Sequence, residues 1–178
     1  MTNYGFAAVV RRHQDAYPVQ TVPIANDLGL KVYRVPNWDA NTSGVIKRDA
    51  ADGGTSGYAI YVNEKHPEVR RRFTIAHEIG HFCLHKDLIG DGIVEDALWR
   101  ADNLSNKIEA QANRFAANLL MPWHLIERAN DNGVVDIRDL ARAFNVSKDA
   151  MSIRLYNAPY EQVVGNQMPA DVLPVLRT

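Results

Sequence analysis

The sequence predicts an α+β fold in which a small antiparallel three-stranded sheet packs on two long helices, with a helix-turn-helix-like pair following. Three observations carry that expectation. Strand-like runs cluster between residues 31 and 62. A helical run over residues 73–85 is apolar on both flanks of a polar strip, and a second over residues 105–120 sets one carboxylate among small side chains.

Taken in order, residues 4–15 read as a first helix and residues 22–28 as a second, started near Thr21-Val22-Pro23 and stopped by Gly29. Lys31-Val32-Tyr33-Arg34-Val35 alternates polar with apolar side chains, as a half-buried strand does, and Pro36 ends it. Residues 43–47 and 58–62 are two further strands, separated by the turn-rich Asp49-Ala50-Ala51-Asp52-Gly53-Gly54-Thr55-Ser56-Gly57, and are expected to form an antiparallel hairpin. An exposed edge strand of such a sheet can hold an extended peptide by main-chain hydrogen bonds. Which strand is the edge is not readable at this level.

The next run, Phe73-Thr74-Ile75-Ala76-His77-Glu78-Ile79-Gly80-His81-Phe82-Cys83-Leu84-His85, contains the pattern H-E-x-x-H. On a helix, His77 and His81 fall about 40° apart around the axis and about 6 Å along it, so two imidazoles can grip one metal ion. Glu78, about 100° further round, misses the metal but reaches water beside it, the position of a general base. Phe73, Ala76, Gly80, Cys83 and Leu84 form one apolar flank and Ile75, Ile79 and Phe82 the other, so the helix should be buried with its polar strip opening into a cleft. Cys83, the single cysteine, reads as a small buried hydrophobe. His85, one turn beyond His81, either lines the cleft or caps the helix end. The entry to the helix, Arg70-Arg71-Arg72, reads as a solvated first turn. Residues 87–104, with Trp99 as their large anchor, read as a loop bordering the cleft.

Residues 105–120 follow as a helix with Ser105 as N-cap and Met121-Pro122 as the stop. The alanines in its stripe Glu109, Ala112, Asn113, Ala116, Leu120 permit close approach to another backbone. Packed against the histidine helix, Glu109 would be the third metal ligand and Asn113 would orient a ligand from behind. Residues 123–129 read as a short helix, Asp131-Asn132-Gly133 as a turn, and residues 136–144 and 147–157 as two capped helices joined by Asn145-Val146. Arg138, Arg142, Lys148 and Arg154 are offset there by Asp136, Asp139 and Asp149, which leaves one excess positive charge. A face that binds DNA phosphates is normally more basic, so a structural or partner-docking role is preferred. The expected organisation is a main domain over residues 1–130, the helix pair over 131–158 packed on it, and a proline-containing tail over 159–178.

Composition sets the outer limits. The 178 residues are 46% hydrophobic and 23% charged, which excludes a largely disordered or collagen-like chain. A net charge of -1 gives no global pull toward nucleic acid or an anionic membrane. A single cysteine excludes a disulfide framework and fits a reducing compartment. The apolar run over residues 6–10 is too short for a signal segment, and no run approaches the roughly 20 apolar residues of a membrane span. The expected location is cytoplasmic, with no membrane partner.

The stretch from Phe73 to His81 with Leu84-His85, and then Glu109-Ala110-Gln111-Ala112-Asn113-Arg114-Phe115-Ala116-Ala117-Asn118-Leu119-Leu120-Met121-Pro122, resemble the ImmA/IrrE family of zinc metallopeptidases. The likeness covers roughly residues 15–157 and is also similar to the glutamate-zincin group, where a downstream helix supplies the third ligand. It implies a zincin-like fold and one zinc ion per chain held by His77, His81 and Glu109, with Glu78 as catalytic base. The activity implied is that of a zinc-dependent endopeptidase acting on a protein substrate, a helix-turn-helix (Xre-type) transcriptional repressor or an antitoxin-like partner. Some members carry a further C-terminal sensor domain, for which this chain is too short. An oxyanion donor is also expected, with His85, Tyr58 and Tyr156 as candidates. Two rival readings stand beside this one: a DNA-binding regulator acting through residues 136–157 with a structural metal, and a non-catalytic protein that docks a partner.

Overall fold

Tyr58–Asn63 is the strand around which the sheet is built. Its sequence is apolar almost throughout, and Ala59, Ile60 and Val62 are fully buried. A strand of this kind needs cover on both faces and a neighbour on both edges. The computed structural model, which describes residues 3–89 and 103–156, gives it both. Strand β1 (Leu30–Val35) and β2 (Gly44–Arg48) flank this strand, β3, in the order β1-β3-β2.

β2 pairs antiparallel with β3, Ile46 opposite Ile60, as the hairpin reading expected. β1 pairs parallel with β3, Leu30 opposite Tyr58, so the sheet is mixed and the expected purely antiparallel sheet is corrected. The cause is insertion. β2 returns antiparallel to β1 but one strand-width away, and β3 enters the gap antiparallel to β2, hence parallel to β1. Charged Lys31 and Arg34 on β1, and Lys47 and Arg48 on β2, suit edges and not the middle. Asp49 secures the turn between β2 and β3. Its carboxylate accepts from the amides of Ala51 (3.1 Å) and Asp52 (2.9 Å) and from the Tyr61 hydroxyl (2.6 Å).

Among the described residues the helices are α1 (Asn3–Arg12), α2 (Thr21–Asp27), α3 (Glu68–Leu84), α4 (Asn103–Leu120), α5 (Trp123–Asp131), α6 (Ile137–Phe144) and α7 (Lys148–Tyr156), with a 3-10 turn at Lys86–Leu88 after α3. α4 begins two residues before Ser105, which therefore lies inside the helix and is not its N-cap. Trp99 and the expected tail at residues 159–178 lie outside the described residues. Among the described residues, no helix is long and apolar enough to cross a membrane.

Two compact units make up the chain. One is Gln20–Ala116; the other combines Met1–Val19 with Ala117–Thr178. The expected boundary at residue 130 therefore falls within the second unit. In the first unit, Ile24, Leu28, Leu30, Ile60, Ile79 and Phe82 are almost fully buried beneath α2 and α3 and against the sheet. Of the arginines that enter α3, Arg70 is exposed as a solvated turn expects, while Arg71 is half-buried and Arg72 is not solvated. Arg72 is buried, Arg71 donates to the carbonyls of Glu64 (3.1 Å) and His66 (2.5 Å), and Arg70 donates to Ser43 Oγ (2.9 Å). Arg70 and Arg71 thereby tie down the loops before α3.

In the second unit Leu120, Met121, Leu125, Leu140, Phe144 and Met151 form the core, with Tyr17 stacked on Phe144 at 4.7 Å between centroids. Asp136 caps α6 by accepting from the amides of Arg138 and Asp139, and Asn145 turns the chain toward α7 in the left-handed region at φ 51°. Arg154 is buried. Its Nε donates to the Met121 carbonyl (3.0 Å) and its guanidinium lies 4.4 Å from the Trp123 ring centre.

Candidate metal centre

α3 and α4 touch backbone to backbone at Gly80. A Cβ there would lie 3.2 Å from the Ala112 carbonyl oxygen and 3.2 Å from Phe115 Cδ1, so only glycine permits this approach without displacement. Ala112 is likewise fully buried and small. Glu109, one turn before Ala112, is thereby carried to the histidines of α3. Its Oε2 lies 3.2 Å from His77 Nε2 and its Oε1 lies 3.3 Å from His81 Nε2, while the two Nε2 atoms are 2.9 Å apart.

These separations suit a metal. Zinc takes imidazole nitrogen and carboxylate oxygen at about 2.0–2.2 Å, and the edges of a tetrahedron of that size are about 3.3 Å long. One ligand atom from each of His77, His81 and Glu109 lies within 4.8 Å of the others, the one such group among the described residues. Two imidazoles and one carboxylate on three corners leave the fourth corner for water or substrate, the donor set of an open zinc site.

Hydrogen bonds behind the donors determine which ring nitrogens carry protons. His77 Nδ1 stands 2.9 Å from Asn113 Oδ1, an obligate acceptor, so Nδ1 carries a proton and Nε2 is the nitrogen turned to the donor cluster. His85 Nε2 stands 2.9 Å from Gln111 Oε1, and His85 Nδ1 stands 3.3 Å from His81 Nδ1. Of the two alternatives for His85, the structure gives the helix cap. Its amide donates to the His81 carbonyl as the C-cap of α3, and its ring lies behind His81.

Glu78 is buried, and burial pushes its carboxyl pKa up against the lowering pull of His77 and His81. The Ile46 amide donates to that carboxylate, which ties the site to the sheet. The ladder explains why this amide is available. Asn63 N donates to Ser43 O at one end of the pairing and Asp49 N to Gly57 O at the other, so odd-numbered residues of β2 face β3 and Ile46 faces outward along the edge. β2 approaches α3 closely enough that a Cβ on Gly44 would fall 2.3 Å from Thr74 Cγ2. Burial lowers the His77 pKa, but the Glu109 hydrogen bond and the charges of Glu78 and Glu109 outweigh it and hold it above its ordinary value. Glu109 is held far below the usual carboxylate range by hydrogen bonds from His77 and His81. Burial also lowers His85.

Of the residues singled out in the sequence, His77, His81, Glu109, Asn113 and His85 come together, with Glu78 beside them. Tyr58 does not join them. It is buried edge-on against Phe82 at 5.4 Å, and Tyr156 belongs to the other unit and is 87% exposed. The sequence reading missed Gln111 and the Ile46 amide. The ladder His77, His81, His85 at four-residue steps was a visible sign that a third partner stood behind His81, but Gln111 depends on helix register, which periodicity does not contain.

An α+β fold with a His/His/Glu donor cluster shared between an H-E-x-x-H helix and the helix packed on it is the class into which this chain falls. The chain belongs to the peptidase family described as the IrrE N-terminal-like domain, which it matches over residues 25–156. It is 32% identical over 99 residues to Metallopeptidase ImmA of Bacillus subtilis (strain 168), a match covering 56% of this chain and 53% of that protein. The chain thus spans about half the length of that relative. Its fold is similar to that of a solved Mycobacterium tuberculosis transcriptional regulator, with a TM-score of 0.57 at 17% identity over 93% of this chain and 48% of that one.

Proposed function

We propose that this chain is a zinc-dependent endopeptidase that hydrolyses a peptide bond in a protein substrate, with one zinc ion per chain held by His77, His81 and Glu109. The observation that carries this reading is the convergence of those three donors at tetrahedral spacing beside the buried Glu78. When bound, zinc supplies Lewis acidity, polarising a peptide carbonyl and making water acidic enough to lose a proton near neutral pH. Glu78 takes that proton on its carboxylate and passes it to the leaving amine. Asn113 keeps the His77 ring turned to the donor cluster. The outward edge of β2 beside α3 supports binding of an extended peptide, since main-chain groups there face away from β3.

The substrate we infer is a helix-turn-helix repressor of the Xre type or an antitoxin-like partner, in the cytoplasm. The family assignment and the likeness to ImmA support it. Direct DNA binding by α6 and α7 is less favoured because Arg154 is spent on the Met121 carbonyl and the Trp123 ring. The same helices remain our proposed C-terminal module, docked on a peptidase domain of residues 1–130.

The test is metal analysis together with incubation with the product of the neighbouring gene, offered as the substrate. Purified protein is expected to contain about one zinc per chain, to lose it in His77→Ala, and to cut that product only when metal is present. Unchanged zinc in His77→Ala would refute the site. Complex formation with no cut in the presence of zinc would favour the docking reading.

A further inference from the structure

We propose that a cavity of about 500 Å³ in the Gln20–Ala116 unit, between the edge strand β1 and the start of α3, binds a small organic phosphate. Three guanidiniums, those of Arg34, Arg71 and Arg72, line it together with one carboxylate, that of Glu68, which leaves two excess positive charges. A phosphomonoester carries about −1.5 to −2 near neutral pH and matches that excess, whereas a single carboxylate neutralises half of it. Guanidinium forks also suit the tetrahedral oxygens of a phosphate. Val32, Val62 and Ile75 add an apolar wall for the organic part. The volume lies within the range of about 300–1,000 Å³ typical of small-molecule pockets and is far more than an inorganic ion fills.

Local geometry gathers these groups. Glu68, Arg71, Arg72 and Ile75 recur at three- and four-residue steps and so share one face of α3. Val32 and Arg34 lie two apart on β1, and Arg34 pairs with Val62 of β3, so all three project from the same face of the sheet. Arg71 is held in place by the Glu64 and His66 carbonyls, both reached from Nη1, and among the described residues its Nη2 and Nε make no bond. Arg34 is exposed and has no hydrogen-bond or ion-pair partner among the described residues. Thr21 also lines the cavity. It is only 3% exposed, yet its hydroxyl has no hydrogen-bond partner among the described residues, which is costly for a buried polar group unless a ligand or water supplies one. Burial draws the Arg72 pKa below its ordinary value while the Glu68 charge pulls it back up, and an anion in the cavity would offset the same cost. The cavity is separate from the metal centre. His77, two residues past Ile75, falls about 160° away from it around α3.

Phenyl phosphate, a dianion on an apolar ring, is the probe. Titrated into the purified full chain and followed by ¹H–¹⁵N amide shifts, it should saturate, with the largest changes at Thr21, Val22, Arg34 and Val62. Benzoate, the same ring with one charge, should bind at least about fivefold more weakly. Arg34→Gln should weaken phenyl phosphate about tenfold, the effect of losing a hydrogen bond between charged groups. Thr21→Val should weaken it about 3–10-fold while leaving the urea midpoint no lower than that of the wild type, because the hydroxyl it removes has no partner in the fold. No saturable shift up to about 10 mM would overturn the proposal, as would an Arg34→Gln affinity within about twofold of wild type. Equal binding of benzoate would overturn the choice of a phosphate. Shifts centred on His77 and His81 would place the anion on the metal and overturn the cavity as its site. The shift map of the wild type keeps the test decisive if either variant does not fold.

Discussion

Glu78 combines burial with position in a way no other carboxylate of the described chain does. It sits on the face of α3 next to both histidines, with desolvation raising its pKa and the Ile46 amide holding its orientation. Glu78→Gln keeps the shape and the amide contact but removes the basic oxygen. Cleavage of the proposed protein substrate should fall by about 10²–10⁴-fold while zinc content stays near that of the wild type, and full activity in that variant would exclude Glu78 as the base. Asp49 is the corresponding residue for stability. The Tyr61 hydroxyl is the largest cause that brings its pKa from 3.8 to about 2, so the folded carboxyl lies below its unfolded value. Its stabilising effect is complete above about pH 4 and is lost as pH falls through about 2. The urea midpoints of wild type and Tyr61→Phe should therefore differ most at neutral pH and converge toward pH 2; a constant gap would show that the hydroxyl acts by packing alone.

At the level of elements, the site depends on how closely two helices approach. Gly80 and Ala112 form the seam, and Gly80→Ala sets two small effects against each other. The added methyl meets the Ala112 carbonyl at 3.2 Å, while helix propensity gains about 1 kcal/mol. Gly80→Val has no such balance. It should destabilise the fold by about 1–3 kcal/mol in urea and weaken zinc binding as well, because a shift of α4 moves Glu109 away from His77 and His81. Unchanged zinc affinity in that variant would mean that α4 is positioned by contacts other than this seam. The element boundaries were largely legible beforehand, since Gly29, Pro36, Pro122 and Asp136 are stop and start signals that act through local backbone geometry. Strand order was less legible. The near-continuous apolar run of β3 was a sign of a central strand, but alternation in β1 and β2 says nothing about which edge each occupies.

For the whole molecule, a ligand that binds only the folded chain adds to its stability. Zinc at about 100 times its dissociation constant contributes about 2.7 kcal/mol, which for a chain of this size corresponds to about 5–10 °C in the thermal midpoint. That rise should appear on adding zinc to chelated protein and should largely vanish in Glu109→Ala. A rise of equal size in Glu109→Ala would place the responsible metal elsewhere. Each unit buries an arginine, Arg72 in one and Arg154 in the other.

The spacing of His77, Glu78 and His81, the hairpin at residues 44–63 and the capped helices follow from the sequence alone, because each rests on periodicity or turn chemistry within a dozen or so residues. The sequence also singled out Glu109, from its place among small residues. Tertiary structure decided the rest. It inserted β3 between β1 and β2, brought Glu109 to 3.2 Å from His77, buried Arg72 in a turn that looked solvated, and set Gln111 behind His85. All four depend on the register of one element against another, which the burial of many side chains at once determines and no local pattern encodes.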